Sequence, residues 1–327
     1  MNIIVTGGAG FIGSHLAAAL LERGEKVAAI DDFNDFYDPR LKRENAEALL
    51  KNPSFSLFEA DIRDRKAVEE VFAAFKPHAV CHLAARAGVR PSIEDPLLYE
   101  EVNCLGTLTL LELSRNNGIG NFVFASSSSV YGINSKTPFS EEDPITCPIS
   151  PYAATKRSGE LMSFTYSHLW DLPVTCLRFF TVYGERGRPD MAVAKFTRLI
   201  SAGREIDVYG DGTARRDFTY IGDIVSGILK SIYSPSRYEI INLGGANTIE
   251  VRGLIALIEA ALGIKAKVRH LPPAPGDVPI THADVSKAKR LLGFSPLVRI
   301  EEGVERYVKW FVERERRLSE TRPGALS

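Results

Sequence analysis

The segment P-Y-A-A-T-K, residues 151–156, sets a phenol and an ammonium four positions apart. On a helix, Tyr152 and Lys156 share one face. A neighbouring positive charge favours phenolate and lowers a tyrosine pKa toward neutral. Such a phenolate can take a proton from an alcohol while hydride leaves the same carbon. Upstream, F-V-F-A-S-S-S-S-V-Y-G at 122–132 ends an apolar run in four serines, Ser126 to Ser129. They read either as a solvated linker or as hydroxyls lined up over a reacting sugar. Taken alone, the Tyr-x-x-x-Lys spacing also fits a plain surface helix face.

Hydride chemistry needs an acceptor, and the N-terminal segment offers a place for one. T-G-G-A-G-F-I-G-S-H-L, residues 6–16, follows a strand pattern and opens a helical one. Gly7, Gly10 and Gly13 let the backbone turn tightly and approach a pyrophosphate. The helix start, with Phe11 and Ile12 between the glycines, then presents N–H groups and a favourable dipole to the phosphates. Asp31 ends the next strand pattern about 20 residues further on, where a carboxylate can bond ribose hydroxyls. It would repel a 2′-phosphate, which favours NAD over NADP; the plainer reading is a solvated strand-end carboxylate. In E-A-D-I, residues 59–62, Asp61 and Ile62 stand at another strand end. Asp61 either bonds the adenine amino group or caps the helix that follows.

The elements that must position these groups alternate along the first half. Strand patterns fall at 3–6, 26–30, 55–59, 79–83, 121–125 and 174–179, with helical spacing at 14–23, 41–51, 67–75, 97–116 and 152–170. Runs such as I-I-V-T are apolar on both faces, as in parallel strands covered by helices on each side. The expectation is an α/β fold, a Rossmann-type doubly wound parallel sheet over residues 1–180. A smaller C-terminal α/β substrate lobe over 181–327, partly interleaved with the first, is expected to complete it. There the strands, at 206–209 and 239–242, are short. Helices are expected at 193–202, 221–233, 251–262, 286–292 and 300–315, and the charged tail 313–327 is expected to fray.

Bulk properties exclude several classes. The 327 residues are 45% hydrophobic and 25% charged with a formal net charge of −1, which is not the basic footprint of a nucleic-acid binder. Cys81, Cys104, Cys147 and Cys176 lack metal-site spacing, so no metal is expected and the thiols read as reduced in a cytoplasmic protein. The opening M-N-I-I-V-T-G-G enters a strand directly, so no signal peptide is expected. No apolar run approaches the ~20 residues that span a bilayer, so no membrane association is expected.

The glycine motif, Asp61–Ile62, H-L-A-A at 82–85, Val102–Asn103, S-S-S-S-V-Y-G at 126–132, the Tyr–Lys pair, R-F-F-T-V-Y-G at 178–184 and R-D-F-T-Y at 216–220 occur in this order. With them the chain resembles the nucleotide-sugar epimerases of the extended short-chain dehydrogenase/reductase family over essentially its whole length. The resemblance implies that Ser127 bonds the sugar hydroxyl, and that Tyr152 and Lys156 do acid–base work and bind the nicotinamide ribose. It implies that Leu83, Ala84, Ala85 and Asn103 serve the NAD cofactor and that Arg216 binds substrate phosphate. Relatives commonly form homodimers through helices matching 97–116 and 152–170, and Leu108, Leu111, Leu161 and Phe164 fit such a four-helix bundle or a monomer core.

Sugar-dehydrating relatives carry Asp-Glu before V-Y-G, and UDP-glucuronate decarboxylases carry Glu at the second position. Here Ser128 and Ser129 stand there. A hydroxyl is a poor general base without an activating partner, so elimination is disfavoured. Oxidation at C4 and re-reduction from the other face remain, which is epimerisation of a UDP-sugar. A-G-V-R at 87–90, G-R-P-D-M-A at 187–192 and P-G-D-V-P-I-T-H-A-D at 275–284 look most like UDP-glucuronate 4-epimerases. UDP-glucose 4-epimerases usually carry Asn at 181, where this chain has Thr181, and Arg at 274, where it has Ala274. UDP-glucose 4-epimerisation is the second reading, decarboxylation the third, and a non-catalytic NAD-sensing scaffold the alternative of another class.

Arg90, Arg186 and Arg188 lie in loops near the expected substrate mouth. Arginines gathered in a neutral protein suit an anionic substrate, though each could equally pair with neighbours such as Glu185 and Asp190. Arg90, Arg188, Arg216 and Asp277 are the expected outer substrate contacts, with Arg188 or Arg252 replacing the arginine absent at 274. Oxidising glucuronate at C4 creates a β-keto acid that loses CO₂ when the breaking bond lies perpendicular to the new carbonyl plane. Ser128, Ser129 and Thr181 are expected to hold the carboxylate away from that orientation. The alternative is that the two serines satisfy local backbone groups. Hydride is expected to pass from C4 to NAD while Tyr152 takes the O4 proton. The tethered 4-keto sugar then turns, and hydride returns.

Overall fold

The computed structural model describes residues 1–273 and 278–321. Its strands are β1 (Asn2–Thr6), β2 (Lys26–Asp31), β3 (Phe55–Glu59), β4 (Ala79–His82), β5 (Asn121–Ser127), β6 (Val174–Phe179), β7 (Thr181–Tyr183), β8 (Glu205–Tyr209), β9 (Arg215–Tyr220), β10 (Tyr238–Leu243), β11 (Thr248–Glu250) and β12 (Lys267–Leu271). Seven form one parallel sheet in the order β10-β6-β5-β4-β1-β2-β3. The order reverses between β1 and β4, the point where doubly wound sheets open a crevice beyond their carboxyl ends.

Side-chain alternation explains why the strands read as apolar on both faces. Ile3 and Val5 join one core with the helices Phe11–Glu22 and Ile221–Tyr233, while Ile4 joins the opposite core with Arg65–Phe75 and Gly106–Asn116. The helix Pro151–Trp170 comes close to β5 at Gly159, where a Cβ would lie 2.4 Å from the Phe124 ring. Ser150 caps that helix by accepting from the Ala153 N–H at 3.1 Å, and Pro151 occupies its first turn.

The structure departs from the sequence reading in several places. The helical run expected at 97–116 is α-helical at Pro96–Tyr99, π-helical at Glu100–Leu105 and α-helical again at Gly106–Asn116. Turns of this wider kind recur at functional sites, and this one carries Asn103. The tail does not fray at residue 313: the last helix runs from Ile300 to Thr321, since its inner face seats Val304, Tyr307, Val308 and Phe311 in the core. β10, expected in the later lobe, returns to the edge of the main sheet beside β6. β7, β9 and β11 form a second sheet and β8 and β12 a third. Of these five strands, only β8 had a periodic signal. Asp217, fully buried on β9, ties the later loops together by accepting the N–H groups of Gly245 (2.6 Å) and Ala283 (3.0 Å).

A buried ion pair joins the elements that matter for the site. Glu160, on the helix Pro151–Trp170, accepts from Arg178 of β6 in two parallel bonds of 2.8 and 2.9 Å. It also accepts from Ser126 of β5 (2.6 Å) and from Arg157 (2.8 Å). Arg178 donates onward to the Tyr131 hydroxyl (3.1 Å), and Tyr131 donates to Asn242 of β10 (2.7 Å). Burial alone would raise the Glu160 carboxyl, but the Arg178 guanidinium holds it below the usual range. Glu160→Gln leaves the Arg178 charge buried without its counter-ion. We expect a loss of about 3–5 kcal/mol in unfolding free energy, read from the urea midpoint.

Candidate active site

One cleft runs along the carboxyl ends of the sheet, from the glycine loop to β7. Gly7, Gly10, Phe11, Ile12 and Gly13 line it at one end. Gly7 has φ +67°, and a Cβ there would lie 3.0 Å from the Ala84 nitrogen. At Gly13 a Cβ would fall 2.0 Å from the Gly7 carbonyl oxygen. Bare backbone therefore lets the loop, the helix Phe11–Glu22 and the exit of β4 meet closely, which leaves a cradle for a pyrophosphate at a helix N-terminus. The cradle fits the dinucleotide expected from the sequence.

Asp31 lies in the same cleft and is 5% exposed. Its oxygens accept the Phe33 N–H (3.0 Å) and the Ala9 N–H (3.1 Å), and the Lys42 ammonium stands 3.5 Å away. Burial pushes its carboxyl above the usual range, with Lys42 pulling the other way. It is thus no solvated strand end. Asp61 and Ile62 line the cleft as well. Asp61 does not cap the next helix, since that role falls to Asp64, which accepts the Lys66 and Ala67 N–H groups. Instead Asp61 accepts the Arg63 N–H (2.8 Å) and its guanidinium (2.7–3.1 Å). Burial would raise this carboxyl, but the Arg63 bonds bring it below the ordinary value.

Leu83, Ala84 and Ala85 line the cleft opposite the glycines. Asn103 stands behind that loop: its Oδ1 accepts the Arg86 N–H (2.8 Å) and its Nδ2 donates to the Arg86 carbonyl (3.0 Å) and to Thr155 Oγ1 (3.0 Å). The π-helical turn thus braces the loop and joins it to the helix of Tyr152.

All four serines face the cleft, with Tyr152, Lys156, Thr181 and Arg188. They are not a floppy linker. Ser126 and Ser127 finish β5, and Ser128 and Ser129 open a short 3₁₀ turn, Ser128–Tyr131. The local backbone is served by Ser127, whose Oγ accepts the Ser129 N–H at 3.1 Å and donates to Ser129 Oγ at 3.2 Å.

The protonation of the Tyr–Lys pair differs from expectation. Lys156 does not bring Tyr152 toward neutral. Burial raises the Tyr152 phenol, while a hydrogen bond from Ser127 and the Arg188 charge lower it only in part. The Lys156 ammonium donates to the Ala125 carbonyl (2.7 Å) above the Phe124 ring, and burial lowers it to about 8.

The arginines divide. Arg188 lines the cleft and also pairs with Asp190 at 2.7 Å. Arg186 reaches Ser14 Oγ at 3.5 Å, and Arg252 pairs with Glu250. Arg90 stacks 3.9 Å over the Tyr209 ring, and Arg216 donates to the Arg215 carbonyl at 2.9 Å. Neither belongs to the cleft lining. Asp277 and Ala274 lie outside the described residues. Sequence reasoning missed Lys42 and Arg86, both in the cleft lining. Arg86 directly follows H-L-A-A, so motif adjacency could have found it; Lys42 sits in an ordinary helical pattern that gave no sign.

The chain matches the family described as GDP-mannose 4,6 dehydratase over residues 4–307. It is 46% identical over 311 residues to a UDP-glucuronate 4-epimerase of Thermodesulfobacterium geofontis, covering 95% of this chain and 96% of that one. Its fold is similar to that of UDP-glucuronic acid 4-epimerase from Bacillus cereus, solved in complex with UDP-glucuronic acid and NAD. The TM-score is 0.91 at 36% identity, covering 96% of this chain and 100% of that one. It is also similar to a UDP-glucose 4-epimerase of Thermotoga maritima with UDP-glucose, with a TM-score of 0.89 at 35% identity and 96% and 100% coverage.

The depressed Lys156 pKa has a consequence for stability. Between pH 8 and 10.5 the unfolded chain holds more protons at this site than the folded one, so stability contributed there rises with pH. Lys156 thus costs stability below pH 8, and the cost fades toward pH 10.5. Lys156→Met should compare most favourably with wild type at pH 7 and lose that advantage by pH 10, measured by urea denaturation across the range.

Proposed function

The chain belongs to the GDP-mannose 4,6 dehydratase family, and from that premise we propose that it is an NAD-dependent UDP-sugar 4-epimerase interconverting UDP-glucuronate and UDP-galacturonate. The observation that carries this reading is the composition of the cleft. Ser127, Tyr152 and Lys156 stand together beyond a dinucleotide cradle, and hydroxyls rather than carboxylates occupy 128 and 129. A dehydratase needs an acid and a base at those positions, and this cleft has neither there.

Gly7, Gly10, Phe11, Ile12 and Gly13 would hold the pyrophosphate, Asp31 the adenosine ribose, Asp61 and Ile62 the adenine, and Tyr152 and Lys156 the nicotinamide ribose. NAD supplies the acceptor and donor of hydride when bound. Ser127 orients the O4 hydroxyl toward Tyr152, which takes its proton as hydride leaves C4 and returns it in the reverse step. Burial makes that phenol a reluctant acid, so proton transfer must coincide with the change of charge around it. The positive nicotinamide of bound NAD would favour the phenolate. Ser128, Ser129 and Thr181 bond the uronate carboxylate and keep its C–C bond near the plane of the C4 carbonyl, which restrains loss of CO₂. Arg188 takes the substrate's negative charge, as the cleft-lining arginine on the side of the reacting groups. We assign the cofactor to residues 1–180 and the nucleotide sugar chiefly to 181–327.

Leu161 and Phe164 are 53% and 50% exposed on the helix Pro151–Trp170, and Leu97, Leu105 and Leu108 are exposed nearby. Leu111, by contrast, is fully buried in the monomer core. The exposed set forms an apolar face suited to a homodimer, and Leu161→Glu with Phe164→Glu should give a monomer by light scattering. All four cysteines are free, and no helix among the described residues is long and apolar enough to cross a membrane. Both features suit a cytoplasmic enzyme.

The purified protein, given UDP-glucuronate without added NAD, should produce UDP-galacturonate up to an equilibrium mixture, followed by proton NMR. UDP-xylose as the main product would overturn the role given to the serines. Tyr152→Phe should lower turnover roughly 10²–10⁴-fold while UDP-glucuronate still binds. Thr181→Ala should raise the KM for UDP-glucuronate about 10-fold and release some UDP-pentose; unchanged kinetics with no pentose would remove Thr181 from the carboxylate site.

A further inference from the structure

Three carboxylates, Asp31, Asp32 and Asp61, line the cleft that must accept the two negative charges of a pyrophosphate. Cations have to offset them, and among the described residues four line the same cleft: Lys42, Arg86, Lys156 and Arg188. Three have partners. Lys42 lies 3.5 Å from Asp31 and 3.8 Å from Asp32, Lys156 bonds the Ala125 carbonyl, and Arg188 pairs with Asp190. Arg86 is different: its Nε is buried with no hydrogen-bond partner. A buried donor left unmade is costly, and an arginine fork suits a phosphate.

The backbone of Arg86 is fixed. Asn103 clamps both its N–H and its carbonyl, so the base of the side chain cannot drift. Two residues before it, Ala84 comes so near the glycine loop that a Cβ on Gly7 would lie 3.0 Å from its nitrogen. The Arg86 charge acts on Asp61 at the adenosine end of the cleft and on Tyr99, whose ring meets Tyr152 edge-on at 6.2 Å. Arg86 directly follows Ala84 and Ala85, which line the cleft opposite the glycine loop, so its side chain enters the stretch where the middle of a dinucleotide must pass. Asp61 does not absorb it, because Arg63 already fills that carboxylate.

We propose that Arg86 is a cofactor-binding residue whose guanidinium engages the pyrophosphate of NAD from the side opposite the glycine loop. This rests on the NAD reading above but not on the identity of the sugar. Helix N–H groups grip the phosphates from one side and a fixed cation closes on them from the other.

The test is NAD binding to cofactor-stripped protein, by calorimetry, with the NAD content of freshly purified protein as a second readout. Arg86→Met should weaken NAD binding roughly 10- to 100-fold and empty the purified protein of cofactor. UDP affinity should not change. Arg86→Lys should recover part of the loss, and Arg86→Gln should not, because the contact is to charge. The NAD affinity of wild type should fall more steeply with salt than that of Arg86→Met. NAD affinity in Arg86→Met within twofold of wild type overturns the proposal, and so does recovery by Gln but not Lys, which would mean a contact to base or sugar. Should wild type itself fail to bind NAD, the functional reading fails first, and the two failures are thereby distinguished.

Discussion

The Glu160–Arg178 ion pair is the constraint on which the site depends. Both side chains are withdrawn from water, at 0% and 1% exposure, so each charge needs the other to remain. Removing two charges from water costs several kcal/mol, and their mutual attraction repays it only when geometry and additional hydrogen bonds are good. Here the pair is bidentate, and Ser126, Arg157 and Tyr131 complete its bonding. A pair with such directional demands fixes register. It sets the helix of Tyr152 and Lys156 against the end of β5 that bears Ser127. Through Tyr131 it sets the 3₁₀ turn of Ser128 and Ser129 against β10. A hydrophobic core would hold these elements together but would tolerate a slide along the helix. The ion pair does not.

Burial also governs the chemistry in front of that pair. One desolvated environment raises the phenol of Tyr152 and lowers the ammonium of Lys156, because it disfavours charge of either sign. The two groups thereby move apart in proton affinity: the phenol holds its proton above its ordinary value, while the ammonium releases its own near 8.

Loop placement does the remaining work. Asn103 on the π-helical turn holds the Arg86 backbone and reaches Thr155 on the helix of Tyr152. A single amide thus couples the loop after β4 to that helix. Asp217 does the same on the far side, gathering the loops at Gly245 and Ala283 around β9.

The doubly wound sheet, the glycine cradle, Asp31 and the Tyr152–Lys156 pair were legible in the chain because each rests on local rules: period, turn chemistry and i,i+4 spacing. Ser128 and Ser129 were informative for a similar reason, since hydroxyls at those two positions disfavour elimination. The direction of the Tyr152 shift was not legible. Adjacency suggested that Lys156 would lower it, whereas burial decided otherwise, and desolvation depends on everything packed around a group. Leu111 could not be told from Leu108 by periodicity, yet one is core and the other exposed. Nor did the helical pattern around Lys42 mark it as a cleft cation. Sequence spacing determined which groups could meet along one element; contacts between distant elements decided which did, because burial and partner choice exist only once the chain has closed on itself.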